Sequence, residues 1–159
     1  PLRVAAVDRL TEDAVAVTFE VPAELAADYD FVHGQHLTIR TSLGGAEIRR
    51  NYSICSPAGS GVLQVAVKAL PGGVFSAWVN EQLAVGDVVD VMTPTGRFTT
   101  PLVPGQAKHY TAVVAGSGIT PVLSIVSTIL AQEPASRFTL LYGNRTTSSI
   151  MFLEELADL

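Results

Sequence analysis

The residues best equipped for chemistry lie between Arg49 and Pro57, in the run Arg-Arg-Asn-Tyr-Ser-Ile-Cys-Ser-Pro. Strand side chains alternate between faces, so Arg50 and Tyr52 point one way while Asn51 and Ser53 point the other. A flat, anionic ligand suits such a strand. Arg50 offers a planar fork to a phosphate, Tyr52 a face for a ring, and Ser53 a hydroxyl near the ring's edge where the strand bends at its end. Taken alone, the string also describes an ordinary half-buried strand.

Two later stretches add phosphate chemistry. Gly72 and Gly73 precede Phe75, Trp78, Val79 and Leu83, an apolar stripe at helical spacing. That spacing predicts a helix whose N-terminus offers free amides and a positive dipole end to an anion, with Ser76 adding a hydroxyl. Further on, Gly116-Ser117-Gly118-Ile119-Thr120-Pro121 lies between an apolar run and a second helical pattern. This is the dinucleotide-binding arrangement without its third glycine, and its amides suit a pyrophosphate. Gly143-Asn144-Arg145-Thr146 stands where such a fold reads a ribose, and Arg145 suits a 2′-phosphate better than a bare hydroxyl. A solvated loop cation is the other reading of Arg145.

These residues need a scaffold that changes character partway. Alternating runs at Arg3–Asp8, Ala14–Val21, Leu37–Arg40, Ile48–Ser53, Val62–Leu70 and Val88–Met92, punctuated by Gly and Pro, predict a closed antiparallel barrel. Pro22–Asp28 reads as a helical turn or two at a barrel corner. His33 and His36 flank the turn at Gly34 without acidic or thiol neighbours, which predicts hydrogen-bonded surface histidines rather than ligands. After Pro104-Gly105 the period becomes β-α-β-α. His109–Ala115 reads as a strand of the buried parallel kind and Val122–Gln132 as a helix with Thr120 as N-cap and Pro121 at its first position. Arg137–Tyr142 is a second strand, and Ser149–Leu159 a second helix with Ile150, Leu153, Leu156 and Ala157 on one face.

Composition narrows the function classes. Of 159 residues 48% are apolar, and the net charge is −5 with no basic block, which argues against nucleic acid as a partner. The apolar runs Thr111–Ile119 and Val122–Ala131 are broken well short of the ~20 residues of a membrane helix. The single cysteine, Cys55, makes neither an internal disulfide nor a metal or iron–sulfur site, reads as a packed small residue, and suits a reducing cytoplasm. No Ser/His/Asp or paired-carboxylate arrangement points to hydrolysis.

Taken in order, Arg50-x-Tyr52-Ser53, Gly72-Gly73-x-Phe75-Ser76, Gly116-x-Gly118-x-Thr120-Pro121 and Tyr142-Gly143-Asn144-Arg145 resemble the ferredoxin–NADP reductase superfamily. Within it the chain looks most like reductase subunits of bacterial multicomponent oxygenases, those of phenylacetyl-CoA epoxidase type included. The resemblance implies an all-β, six-stranded Greek-key flavin barrel over residues 1–103 and an incomplete α/β NAD(P)-binding domain over 104–159. It implies that Arg50 binds the flavin phosphates, Tyr52 lies against the isoalloxazine and Ser53 hydrogen-bonds near its reactive nitrogen. Gly72, Gly73 and Ser76 would cradle the flavin pyrophosphate, and Gly116, Gly118 and Thr120 that of NAD(P)H, with Arg145 on the adenosine side. FAD is favoured over FMN and NADPH over NADH. The implied activity is hydride transfer from NAD(P)H to flavin, then single electrons to an iron–sulfur domain or ferredoxin serving an oxygenase component. A flavin module without turnover and a nucleotide-binding barrel without redox chemistry are the alternatives.

The departure from the family is at the C-terminus, where further strands, a Cys-Gly loop and a plant-type [2Fe–2S] domain are expected. From His109 onward only two strands and two helices can be read, against the 4–6 strands of an open α/β sheet. The chain is therefore expected to be part of a longer reductase, holding flavin but oxidising NAD(P)H poorly.

Overall fold

The structure, a computed structural model, describes residues 1–159. Six strands carry the first part: β1 Leu2–Thr11, β2 Ala14–Glu20, β3 His36–Leu43, β4 Ala46–Ser53, β5 Leu63–Lys68 and β6 Val88–Val91. Their order is β4-β3-β6-β1-β2-β5, all antiparallel, so β6 returns between β3 and β1 in Greek-key fashion. A bridge between Ile54 and Val65 joins the end of β4 to β5 and closes the barrel. A single 3-10 turn, Ala23–Leu25, occupies the expected corner.

Alternation decides what each strand buries. Val15, Val17 and Phe19 of β2 and Val65 and Val67 of β5 fill the interior with Leu2, Leu37, Ile39 and Ile54. Each such side chain contributes about 1.5–3 kcal/mol by leaving water. The intervening positions are small, Ala14, Ala16 and Ala66, and they too are buried. They face outward, where Ile119, Val122 and Leu123 pack on them in a second core. Alanines there let a helix approach the barrel wall closely, so the first half of β2 is buried on both faces.

That helix is α2, Ile119–Gln132, between the parallel strands β7, His109–Ala115, and β8, Arg137–Gly143. It starts two residues earlier than the capping pattern predicts, at Ile119 instead of Pro121. A 3-10 turn at Gly116–Gly118 runs straight into it with Gly118 at the cap position, and the Thr120 hydroxyl donates to the Ser117 carbonyl at 3.0 Å instead of capping. The sheet is also less buried than its apolar run implies. Tyr110, Ala112, Val114, Phe138, Leu140 and Tyr142 face α2, whereas Val113 (74% exposed) and Leu141 (58%) lie on the uncovered face. The last helix is shorter than expected: α3 spans Leu153–Ala157, preceded by Met151 and Phe152. Phe152 takes φ +60°, which breaks the predicted helical face and drives both side chains into the second core, leaving Leu153 half exposed. No helix is long and apolar enough to cross a membrane.

Two buried polar residues tie the connecting segment to its neighbours. Glu133, fully buried, accepts the Val103 amide at 2.8 Å, the Tyr110 hydroxyl at 2.8 Å and the Ser136 hydroxyl at 2.9 Å. The Val103 amide, chiefly, holds its carboxyl below the ordinary carboxylate range. His33 is not at the surface as its neighbours in sequence imply. It is 4% exposed, with Nε2 3.1 Å from both the Thr100 carbonyl oxygen and the Thr99 hydroxyl. Burial lowers its pKa because the charged ring cannot be solvated there. A depressed folded pKa means a stabilising contribution present above about pH 6.5, the unfolded value, and lost as pH falls through the folded one. Urea midpoints are therefore expected to drop between pH 7.5 and 5, and to drop less in His33→Gln. Equal declines in parent and variant would remove His33 from the account.

Candidate functional site

Register places the opening motif. Leu37 pairs with Tyr52 and Ile39 with Arg50 across β3–β4, so both side chains stand on the face of the buried Leu37 and Ile39. Asn51 stands on the other face, accepting the Thr38 hydroxyl at 2.8 Å, and Ser53 shares that face opposite His36. Tyr52 is half-buried, its ring stacked on Phe75 of α1, Val74–Glu81, at 5.7 Å between centroids. Phe75 in turn meets Trp78 edge-on at 5.5 Å. Strand and helix are thereby locked together. Burial pushes the Tyr52 hydroxyl up to about 12, with the Arg50 charge pulling weakly the other way.

Charge sets Arg50 apart from its neighbours. Arg40 is paired with Asp90 at 2.9 Å and Glu47 at 3.4 Å, and Arg49 with Glu47 at 2.8 Å. Arg50 is in no ion pair and donates only to the Arg49 carbonyl at 2.7 Å. It is the uncompensated guanidinium of this hairpin, exposed beside a half-buried aromatic ring. That is the chemistry of a phosphate-bearing ring system.

The glycine pair precedes α1 as the stripe predicts. Gly72 has φ +73° and Gly73 is the cap. A Cβ on Gly73 would come within 2.5 Å of the Ser76 Oγ and 3.1 Å of the Leu70 carbonyl oxygen, so only glycine fits the turn. Gly73 donates to Leu70, whereas the amides of Val74, Phe75 and Ser76 have no acceptor within α1. The expected role of Ser76 needs correction. It is buried, and its hydroxyl donates to the Gly73 carbonyl at 3.1 Å and accepts the Leu70 amide at 3.1 Å. Both bonds are internal, so Ser76 shapes the turn and the backbone offers the donors. Asn80 was not foreseen: its side chain donates to Val67 of β5 at 3.1 Å, and Arg9 of β1 donates to it at 3.2 Å, fixing α1 on the barrel. Its place one turn after Ser76 was the available signal.

The second group gathers at the carboxyl ends of β7 and β8, where Ala115 pairs with Gly143 and open α/β sheets bind ligands. The Gly116–Gly118 turn leaves one strand and the loop with Arg145 leaves the other. Arg145 is exposed and in no ion pair. Thr120 is buried with its hydroxyl on Ser117, so it braces the turn. Both polar atoms of the Asn144 side chain are buried without a hydrogen-bond partner.

The two groups back onto one core. Cys55, two residues past Ser53, shares the second core with Ile119, the first residue of α2, and the Gly116–Gly118 turn lies against β5. Cys55 itself is buried, with its thiol pushed by burial to about 12, and is not a nucleophile. An unpaired guanidinium, a half-buried tyrosine, a glycine turn closed to any side chain and an open helix start form a set that fits a phosphate-bearing flavin.

Comparison with known proteins agrees with that fit. The family described as an oxidoreductase FAD-binding domain matches residues 1–100, and the oxidoreductase NAD-binding domain matches residues 113–159. One of the subunits of 1,2-phenylacetyl-CoA epoxidase from Escherichia coli K12 is 49% identical over 99% of this chain. The ferredoxin reductase component of 3-ketosteroid-9-alpha-monooxygenase from Rhodococcus rhodochrous is 37% identical over 99%. The chain spans 44% of the length of each. The solved structure of phthalate dioxygenase reductase superposes with a TM-score of 0.80 at 30% identity, covering 98% of this chain and 47% of that one.

Proposed function

The chain belongs to the FAD-binding oxidoreductase family, with a ferredoxin-reductase-like fold, and from that premise we propose that it serves as the flavin- and NAD(P)H-binding part of an oxygenase reductase. The barrel through residue 103 would be the flavin half, and residues 104–159 the start of the nucleotide half. The observation that carries this reading is the free charge of Arg50 beside Tyr52, on a barrel whose helix α1 starts at a glycine turn. When bound, FAD would supply the chemistry that accepts a hydride and gives up single electrons.

The chain's own residues would do the positioning. Arg50 and the first amides of α1 would hold the phosphates, Tyr52 would limit the ring's tilt from one side, and Ser53 would set a hydroxyl at its edge. Gly116, Gly118 and the braced Thr120 would shape the turn that receives the NAD(P)H pyrophosphate. Arg145 would meet the adenosine end, which favours NADPH over NADH. FAD is preferred to FMN because two phosphate-binding features, Arg50 and the α1 turn, belong to the same barrel. The partner reading is an iron–sulfur protein or domain serving an oxygenase component, by likeness to the reductase components named above.

A visible spectrum and one anaerobic titration test this reading. Purified protein supplied with FAD is expected to show a protein-bound flavin spectrum that bleaches when NADPH is added. Absence of bound flavin overturns the proposal outright. Bound flavin that NADPH leaves oxidised would favour a flavin module without turnover.

A further inference from the structure

The proposed nucleotide site is built from two loops far apart in sequence, and a single oxygen atom touches both. The Tyr142 hydroxyl donates to the Gly116 carbonyl at 3.0 Å and accepts the Met151 amide at 3.3 Å. Gly116 begins the turn expected to take a pyrophosphate, and Met151 ends the loop that carries Arg145. We propose that Tyr142 is a positioning residue for dinucleotide binding, holding the phosphate turn and the adenosine-side loop in one fixed relation. This inference rests on the nucleotide reading of that site given above.

Three observations make the hydroxyl the determinant. Gly116 has φ +50° and nothing lies within 4 Å of the place a Cβ would occupy. Gly116 itself has no side chain to hold it, so its end of the turn is fixed by the two bonds its carbonyl accepts, from the Ile119 amide and from Tyr142, while Thr120 braces the turn further on through Ser117. The other end of the link is rigid. Met151 is 0% and Phe152 3% exposed in the core shared with the barrel, and Phe152 is the chain's one non-glycine residue at positive φ. Tyr142 itself begins the segment that Met151 ends, so its hydroxyl closes the loop bearing Asn144 and Arg145 onto its own first residue. Burial raises the Tyr142 pKa, against which the Met151 amide and the nearby Asn144 amide act, so the hydroxyl keeps its proton and remains a donor.

Tyr142→Phe removes the oxygen and little else. Dissociation constants for NADPH and NADH are expected to rise together by about three- to tenfold, the effect of one neutral hydrogen bond. FAD affinity is expected to stay the same. Gly116→Ala, which cannot rest easily at φ +50°, is expected to give a similar loss, and the double variant to bind about as weakly as the weaker single one, because both act through the same turn. A folded Tyr142→Phe that binds both nucleotides as tightly as the parent overturns the inference. So does a parallel loss of flavin, or losses in the two variants that multiply. A parent that holds FAD yet binds neither nucleotide overturns the nucleotide reading and this inference with it, whereas failure of the inference alone leaves the parent's binding intact.

Discussion

Arg50→Ala is expected to raise the FAD dissociation constant by about 10- to 100-fold, and Ser53→Ala by no more than about fivefold. Charge-assisted bonds to a phosphate are worth roughly 1.5–3 kcal/mol and a neutral hydroxyl bond about 1, with 1.4 kcal/mol a factor of ten. The contrast with Arg40 and Arg49 sharpens the expectation. Those two guanidiniums already meet Glu47 and Asp90, so Arg50 is the hairpin's free cation. Since Arg50 is exposed and its side chain bonds only to the neighbouring Arg49 carbonyl, its loss should leave the fold intact. Hydride transfer should show the reverse ranking, because Ser53 is assigned to the reacting edge. Equilibrium dialysis that finds Ser53→Ala the weaker flavin binder would refute both assignments.

Arg145→Glu is expected to raise the dissociation constant for NADPH by about 100-fold while changing that for NADH only a few fold. The substitution removes a charge-assisted bond to the 2′-phosphate and puts a like charge in its place. Arg145 is free to do this work, being exposed and unpaired at the carboxyl end of the β7–β8 sheet. Fluorescence titration with both nucleotides measures the two constants on the same preparation. Equal weakening would show that Arg145 does not read the 2′-phosphate. The pattern also separates Arg145 from Tyr142, whose loss should weaken both nucleotides alike.

Much of the site is written in local sequence, because strand and helix periods are local properties. Alternation alone puts Arg50 and Tyr52 on one face and Ser53 on the other, and the register with β3 agrees. The stripe from Phe75 to Leu83 locates α1 and sets the two glycines at its start. The change of period after Pro104-Gly105 finds the β7-α2-β8 unit, whose strands begin at the expected residues. Helix ends were less legible. Thr120 has the side chain of a cap, but the 3-10 turn before it already supplies helical backbone, and the helix begins without it.

Tertiary structure decided whatever depends on a partner distant in the chain. No neighbour in sequence says that Thr99 and Thr100 will cover His33. Which arginine keeps its charge free was settled by Asp90, fifty residues from Arg40. The alternating alanines of β2 and β5 read as ordinary strand positions until α2 and the Met151-Phe152 pair arrive to bury them. Periodicity gives each residue a direction, since bond geometry repeats along one element. Whether that direction ends in water, in a carboxylate or against a helix is fixed only when elements far apart in sequence pack together.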